Sequence, residues 1–120
     1  MEYRIIIPEI PPSLNEILRW HWTFRSKEKK RWAEMIWYCI KSQKIQYISG
    51  KVKIKAVYYF NTKRNRDYDN FAGAFKFIGD GLKGIVIEDD NSNIITELSF
   101  QFEYSKENPR TEIVIKEGGG

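Results

Sequence analysis

At 120 residues, with 42% apolar and 30% charged side chains, the chain has the size and make-up of one globular domain rather than a two-domain enzyme or a disordered segment. Its net charge of +4 favours a polyanionic partner. No run approaches a membrane span, and Met1 to Arg4 has no signal-peptide pattern, so a cytoplasmic protein without a membrane partner is expected.

Tyr3 to Pro8 has the β-branched make-up of a short strand, which Pro11-Pro12-Ser13 breaks. Leu14 to Phe24, with Trp20, His21 and Trp22, is expected as a loop or irregular arm. Ser26 can cap a helix from Lys27 to about Gln46. Trp32, Ile36 and Ile40 fall at i, i+4 and i+8, and Ala33 and Trp37 should widen that buried stripe. Cys39 lies within the same pattern and is expected as a buried thiol. A single cysteine excludes an intramolecular disulfide and fits a reducing compartment.

Lys51 to Phe60 alternates, with Val52, Ile54, Ala56, Tyr58 and Phe60 on one side and lysines on the other, as a strand with one buried face does. Phe71, Ala74, Phe75, Ile78 and Leu82 then mark a second amphipathic helix, with Gly84 at its end. Ile94 to Tyr104 alternates again, and after the turn at Asn108-Pro109, Thr111 to Lys116 is expected to return as the second strand of a hairpin. The resulting expectation is an α/β two-layer sandwich, a mixed sheet with two main helices. Residues 1–117 form a single domain on this reading, and 118–120 a disordered tail.

The charge is uneven. Six basic residues (Arg19, Arg25, Lys27, Lys29, Lys30, Arg31) face one acid, Glu28, between Arg19 and Arg31. Lys63, Arg64 and Arg66 form a second group. That group abuts Asp67 and Asp69, and Glu88-Asp89-Asp90 follows about twenty residues on, beyond the second helix. A helix running out and a chain running back can bring Asp90 beside Asp67 and Asp69. Carboxylates gathered in a basic chain suit Mg²⁺, which takes oxygen ligands and activates water against phosphate; Mn²⁺ should substitute. The plainer alternative is a helix cap and a turn. The spacing rejects a calcium loop, which would require a ligand at Phe71 and glycine at Ala72, and one histidine with one cysteine speaks against zinc. His21 reads as a packing residue rather than a base. Lys76 and Asp80 stand four apart, as a surface ion pair or as a lysine offered to phosphate.

The ordered set Pro11-Pro12-Ser13-Leu14-Asn15, Arg66-Asp67-Tyr68-Asp69-Asn70, Lys76, Asp80-Gly81-Leu82 and Val86-Ile87-Glu88-Asp89-Asp90 resembles the RusA family of small Holliday junction resolvases, over nearly the whole chain. The resemblance implies a homodimer that binds four-way junctions and makes paired, symmetric, Mg²⁺-dependent nicks. It implies Asp67, Asp69 and Asp90 as catalytic metal ligands, with Asp89 open as an alternative to Asp90, and Lys76 as the essential lysine. One departure stands out: the family lysine follows the asparagine by three residues, where this chain has Gly73, so three residues are inserted before Lys76. If they are helical, the lysine moves nearly one turn away and rotates by roughly 60°.

DNA contacts are expected from Lys63, Arg64 and Arg66 near the cut and from Arg25, Lys27, Lys29, Lys30 and Arg31 on the junction arms. Trp20 and Trp22 could stack on unpaired bases or fill a core or dimer interface. Two other readings compete: a non-catalytic DNA-binding module, and a broader nuclease of flaps and forks.

Overall fold

The computed structural model describes residues 1–118. In chain order the elements are β1 (Glu2–Ile7), α1 (Leu14–Arg19), α2 (Trp22–Ser42), β2 (Val52–Phe60), α3 (Tyr68–Leu82), β3 (Ile95–Tyr104) and β4 (Arg110–Glu117). The strands form one mixed sheet in the order β1-β4-β2-β3, and helices cover one face of it. The α/β class and the mixed sheet therefore match the expectation, with three helices in place of two main ones.

The hairpin expected of the last two strands does not form. β3 and β4 are not neighbours: β2 lies between them, parallel to β3 and antiparallel to β4. The reason is burial. Thr111 to Ile115 of β4 are buried without interruption, which suits an inner position between β1 and β2. β3 is exposed along most of its length and takes the edge. A turn signal cannot distinguish these outcomes, because it ends a strand without choosing the strand's neighbour.

The helical layer differs from the sequence expectation at its start. Residues 14–19 are α1, not an irregular arm. Pro11-Pro12 deliver an extended chain to Ser13, whose Oγ accepts from the Glu16 amide while the Glu16 carboxylate accepts from the Ser13 amide, a capping box. α2 begins at Trp22, with His21 as cap rather than Ser26: the Thr23 amide donates to His21 Nδ1 at 3.2 Å. The helix ends at Ser42, short of Gln46, where Lys44 turns left-handed (φ 57°) and the Ile45 amide bonds to the Ile40 carbonyl.

Trp32, Ile36, Cys39 and Ile40 carry the buried stripe of α2. Ala33 and Trp37 lie outside it, and Trp37 stays 48% exposed beneath Lys41. At 100° per residue the face is centred between Trp32 and Ile36 and extends to Cys39, so Ala33 and Trp37, beyond Ile40, are left to solvent. Burial holds the Cys39 thiol above its ordinary pKa, as an inert core group. On α3 all five expected apolar residues are buried. Full burial of side chains such as Ile36, Ile54, Ile78 and Ile113 contributes about 1.5–3 kcal/mol each.

Two features of this frame matter for a site. β2, α3 and β3 form a strand–helix–parallel-strand unit, so the N-terminus of α3 lies beyond the C-terminal end of β2, where α/β folds place ligands. The return from α3 is tight: the Ile85, Val86 and Ile87 amides converge on the Leu82 carbonyl, and the Ile48 amide binds the Val86 carbonyl. Gly118 donates its amide to the Lys51 carbonyl, and the rest of the expected tail, 119–120, lies outside the described residues. No described helix is long and apolar enough to cross a membrane.

Candidate active site

Arg66 shapes the approach to α3. Its guanidinium lies over the Phe60 ring, 3.6 Å from the centroid, and donates to the Thr62 and Arg64 carbonyls and to Thr62 Oγ1. Desolvation first, and the neighbouring Arg64 charge second, lower its pKa, though a guanidinium still stays charged. The folded loop delivers Asp67 to the N-cap position of α3. Its side chain makes no capping bond, so the helix-cap alternative holds for its place and not for its chemistry. Asp69 follows in the first turn, where the positive end of the helix dipole favours a carboxylate. Both acids are exposed, and no ion pair among the described residues involves either.

Farther along α3, Lys76 lies 3.3 Å from Asp80 Oδ1 and 3.6 Å from Asp90 Oδ2. The hydrogen bond to Asp80 and then the charges of Asp80 and Asp90 raise its pKa, so it stays an ammonium at neutral pH. Asp90 rests directly on α3 because residue 79 has no side chain: a Cβ on Gly79 would stand 3.3 Å from Asp90 Oδ2. The other two acids of this cluster have different duties. Glu88 accepts from the Gly50 amide at 3.0 Å, tying the return loop to the entry of β2. Asp89 accepts from the Asp90 amide at 2.7 Å and pairs with Lys83 at 3.4 Å; that amide bond first, and Lys83 after it, hold its carboxyl below the usual range.

The segment from Asn70 to Lys76 is helical, since α3 runs unbroken from Tyr68 to Leu82. Lys76 is thus seven residues, or about 10 Å of helix axis, from Asp69. Gly73 lies under α1: a Cβ there would come within 3.2 Å of Leu14 Cδ2, tighter than ordinary packing. The fold brings Lys76, Asp80 and Asp90 together and leaves Asp67 and Asp69 toward the helix start. Among the described residues no three His, Cys, Asp or Glu side chains stand close enough to share a metal ion. Mg²⁺ takes a compact oxygen shell, and Asp67, Asp69 and Asp90 are not gathered into one such shell in this arrangement.

The expected DNA-binding cations divide in the same way. Arg31 is clamped by Glu9 at 2.7 and 2.9 Å and by Glu28 at 3.0 Å. Arg25 donates to the Ile17 carbonyl and joins α1 to α2, and Lys29 lies 3.8 Å from Asp80. Lys63 lies over the Tyr104 ring. Lys27, Lys30 and Arg64 form no ion pair among the described residues. Arg19 and Asn15, absent from the expected set, share a groove of about 480 Å³ with Arg64, Asp67 and Asn70. The Ser13-x-x-Glu16 signature was the available signal, because it predicts the helix that carries them. Trp20 packs edge-on against Phe24, whereas Trp22 is 69% exposed.

Among protein families, Endodeoxyribonuclease RusA matches residues 9–116 of the chain. No curated protein gives a significant match.

Proposed function

The chain belongs to the RusA endodeoxyribonuclease family, and from that membership we propose that it resolves four-way DNA junctions by paired, symmetric hydrolysis of phosphodiester bonds, as a homodimer dependent on Mg²⁺ or Mn²⁺. The observation that carries this reading is the sequence of groups along α3: unpartnered carboxylates at its start, and an ammonium held between two acids farther on. Asp67, which lines one groove with Arg19 and Arg64, suits a phosphate backbone whose charge the arginines offset.

The chain's own groups supply definite parts of the reaction. Arg19 and Arg64 hold the strand by its phosphates without reading sequence. Lys76 offers positive charge where negative charge develops on the phosphoryl oxygens. Asp67 or Asp69, exposed at the start of α3, can accept a proton from the attacking water. A divalent cation would add Lewis acidity at the phosphate. The homodimer reading draws support from large aromatic residues left on the surface of α2: Trp22, Trp37 and Tyr38 are 69, 48 and 68% exposed. Twofold symmetry matches a substrate with two equivalent strands to cut.

The test is a nicking assay on a mobile four-way junction with both cut strands labelled, with Mg²⁺, with Mn²⁺ and with chelator. Symmetric incisions that require the cation are expected. Equal cutting of flaps or linear duplex would move the assignment to a broader nuclease. Junction binding without incision under any cation would leave a DNA-binding module.

A further inference from the structure

A groove of about 490 Å³ opens beside Lys76, between α3 and the segment from Asp90 into β3. We propose that it receives one nucleobase of the strand being cut, taken out of the base stack at the crossover; this rests on the junction-endonuclease reading above. The volume falls within the range of small-ligand pockets, which are mostly apolar with a few placed polar groups. Phe75, Ile95 and Leu98 supply apolar wall, and Asn91 and Ser92 the polar end. Leu98 is 40% exposed, large apolar surface facing this opening.

Charge decides what kind of group enters. The two charged residues that line the groove, Lys76 and Asp90, offset one another 3.6 Å apart, so the groove has no net positive charge to hold a phosphate inside it. A purely apolar occupant would leave the amide of Asn91 without a partner. The Asn91 side-chain oxygen already accepts from the Asn93 and Ile94 amides at 2.9 and 3.3 Å, which fixes the carboxamide and leaves its NH₂ to donate. A nucleobase meets all three conditions: it is neutral, its flat face can lie on Phe75, Ile95 and Leu98, and its edge carries acceptors for Asn91. Its own phosphate would then lie outward, beside Lys76. Extrusion is least costly where the stack is already broken, as at a branch point.

The experiment uses four-way junctions carrying 2-aminopurine at each crossover position, bound in chelator so that no strand is cut. Fluorescence should rise several-fold on binding at one position, as the base leaves the stack. Leu98→Phe, which fills the groove, and Asn91→Ala, which removes the donor, should each suppress the rise while junction affinity stays within about twofold; with cation, each should slow cutting at least about tenfold, the worth of one lost base contact. An abasic site at that position should slow the wild-type protein by a similar factor. No rise at any position, or a rise that both variants retain, overturns the proposal. A protein that gives the fluorescence change but never nicks with either cation overturns the nuclease reading instead, so the two failures are distinguishable.

Discussion

The two acidic clusters of this protein are alike in sequence and opposite in state. In Glu88-Asp89-Asp90 every carboxylate is engaged: Glu88 by the Gly50 amide, Asp89 by Lys83 and the Asp90 amide, Asp90 by Lys76. Asp67 and Asp69 lie at the start of α3, exposed and outside every ion pair among the described residues. The contrast teaches that a carboxylate run can serve the fold or stay free for a ligand, and that backbone geometry makes the choice. A tight return turn presents amides and nearby lysines to its acids; a helix N-terminus holds its acids by a dipole and leaves their oxygens open.

The largest effect expected from this contrast is on cleavage. Asp67→Asn and Asp69→Asn should each lower the cutting rate by more than about 100-fold, the scale of losing a group that acts on transition-state charge. Junction affinity should hold or rise, since a negative charge near DNA is removed; gel-shift and single-turnover assays measure the two separately. Asp90→Asn is the decisive companion. An equal loss would mean that Asp90 leaves Lys76 and joins the other acids when DNA binds. A loss of only a few-fold would mean that the free pair acts without it.

A smaller effect should fall on stability. Glu88→Ala should lower the unfolding free energy in urea by about 0.5–1.5 kcal/mol, the net worth of one hydrogen bond, with cutting largely kept. A collapse in cutting with unchanged stability would move Glu88 from scaffold to site.

The smallest effect depends on pH. The folded-state pKa of Asp89 is depressed, so its contribution is full above the unfolded value near pH 4 and is lost as pH falls through the lower, folded value. Asp89→Asn should therefore be less stable than the wild type at neutral pH and indistinguishable from it well below pH 3. A difference that persists in strong acid would mean that the side chain acts by packing and not by charge.

Much of the helix and strand content was legible in periodicity, because burial of one face leaves a 3.6-residue or two-residue rhythm that requires no knowledge of neighbours. Phe71, Ala74, Phe75, Ile78 and Leu82 announce α3, and Val52 to Phe60 announce β2. The pair Lys76–Asp80 was legible for the same reason, since both residues lie on one helix. Three features were less legible. α1 was hidden by its shortness, although its capping box stood in the sequence. The cap of α2 was misplaced because histidine is an unusual cap and Ser26 a conventional one. Arg31 looked free until the fold brought Glu9 across from the other side of α1.

By itself the sequence determined the α/β class, the RusA family and the buried faces of β2 and α3, because each depends on local rhythm or on motifs within one element. Only the tertiary structure decided that β4 lies inside the sheet and β3 at its edge, that Lys76 reaches Asp90 over Gly79, and that Asp67 and Asp69 stand apart from them. Those outcomes depend on which surfaces meet across the chain, and pairing between distant segments leaves no period in the sequence.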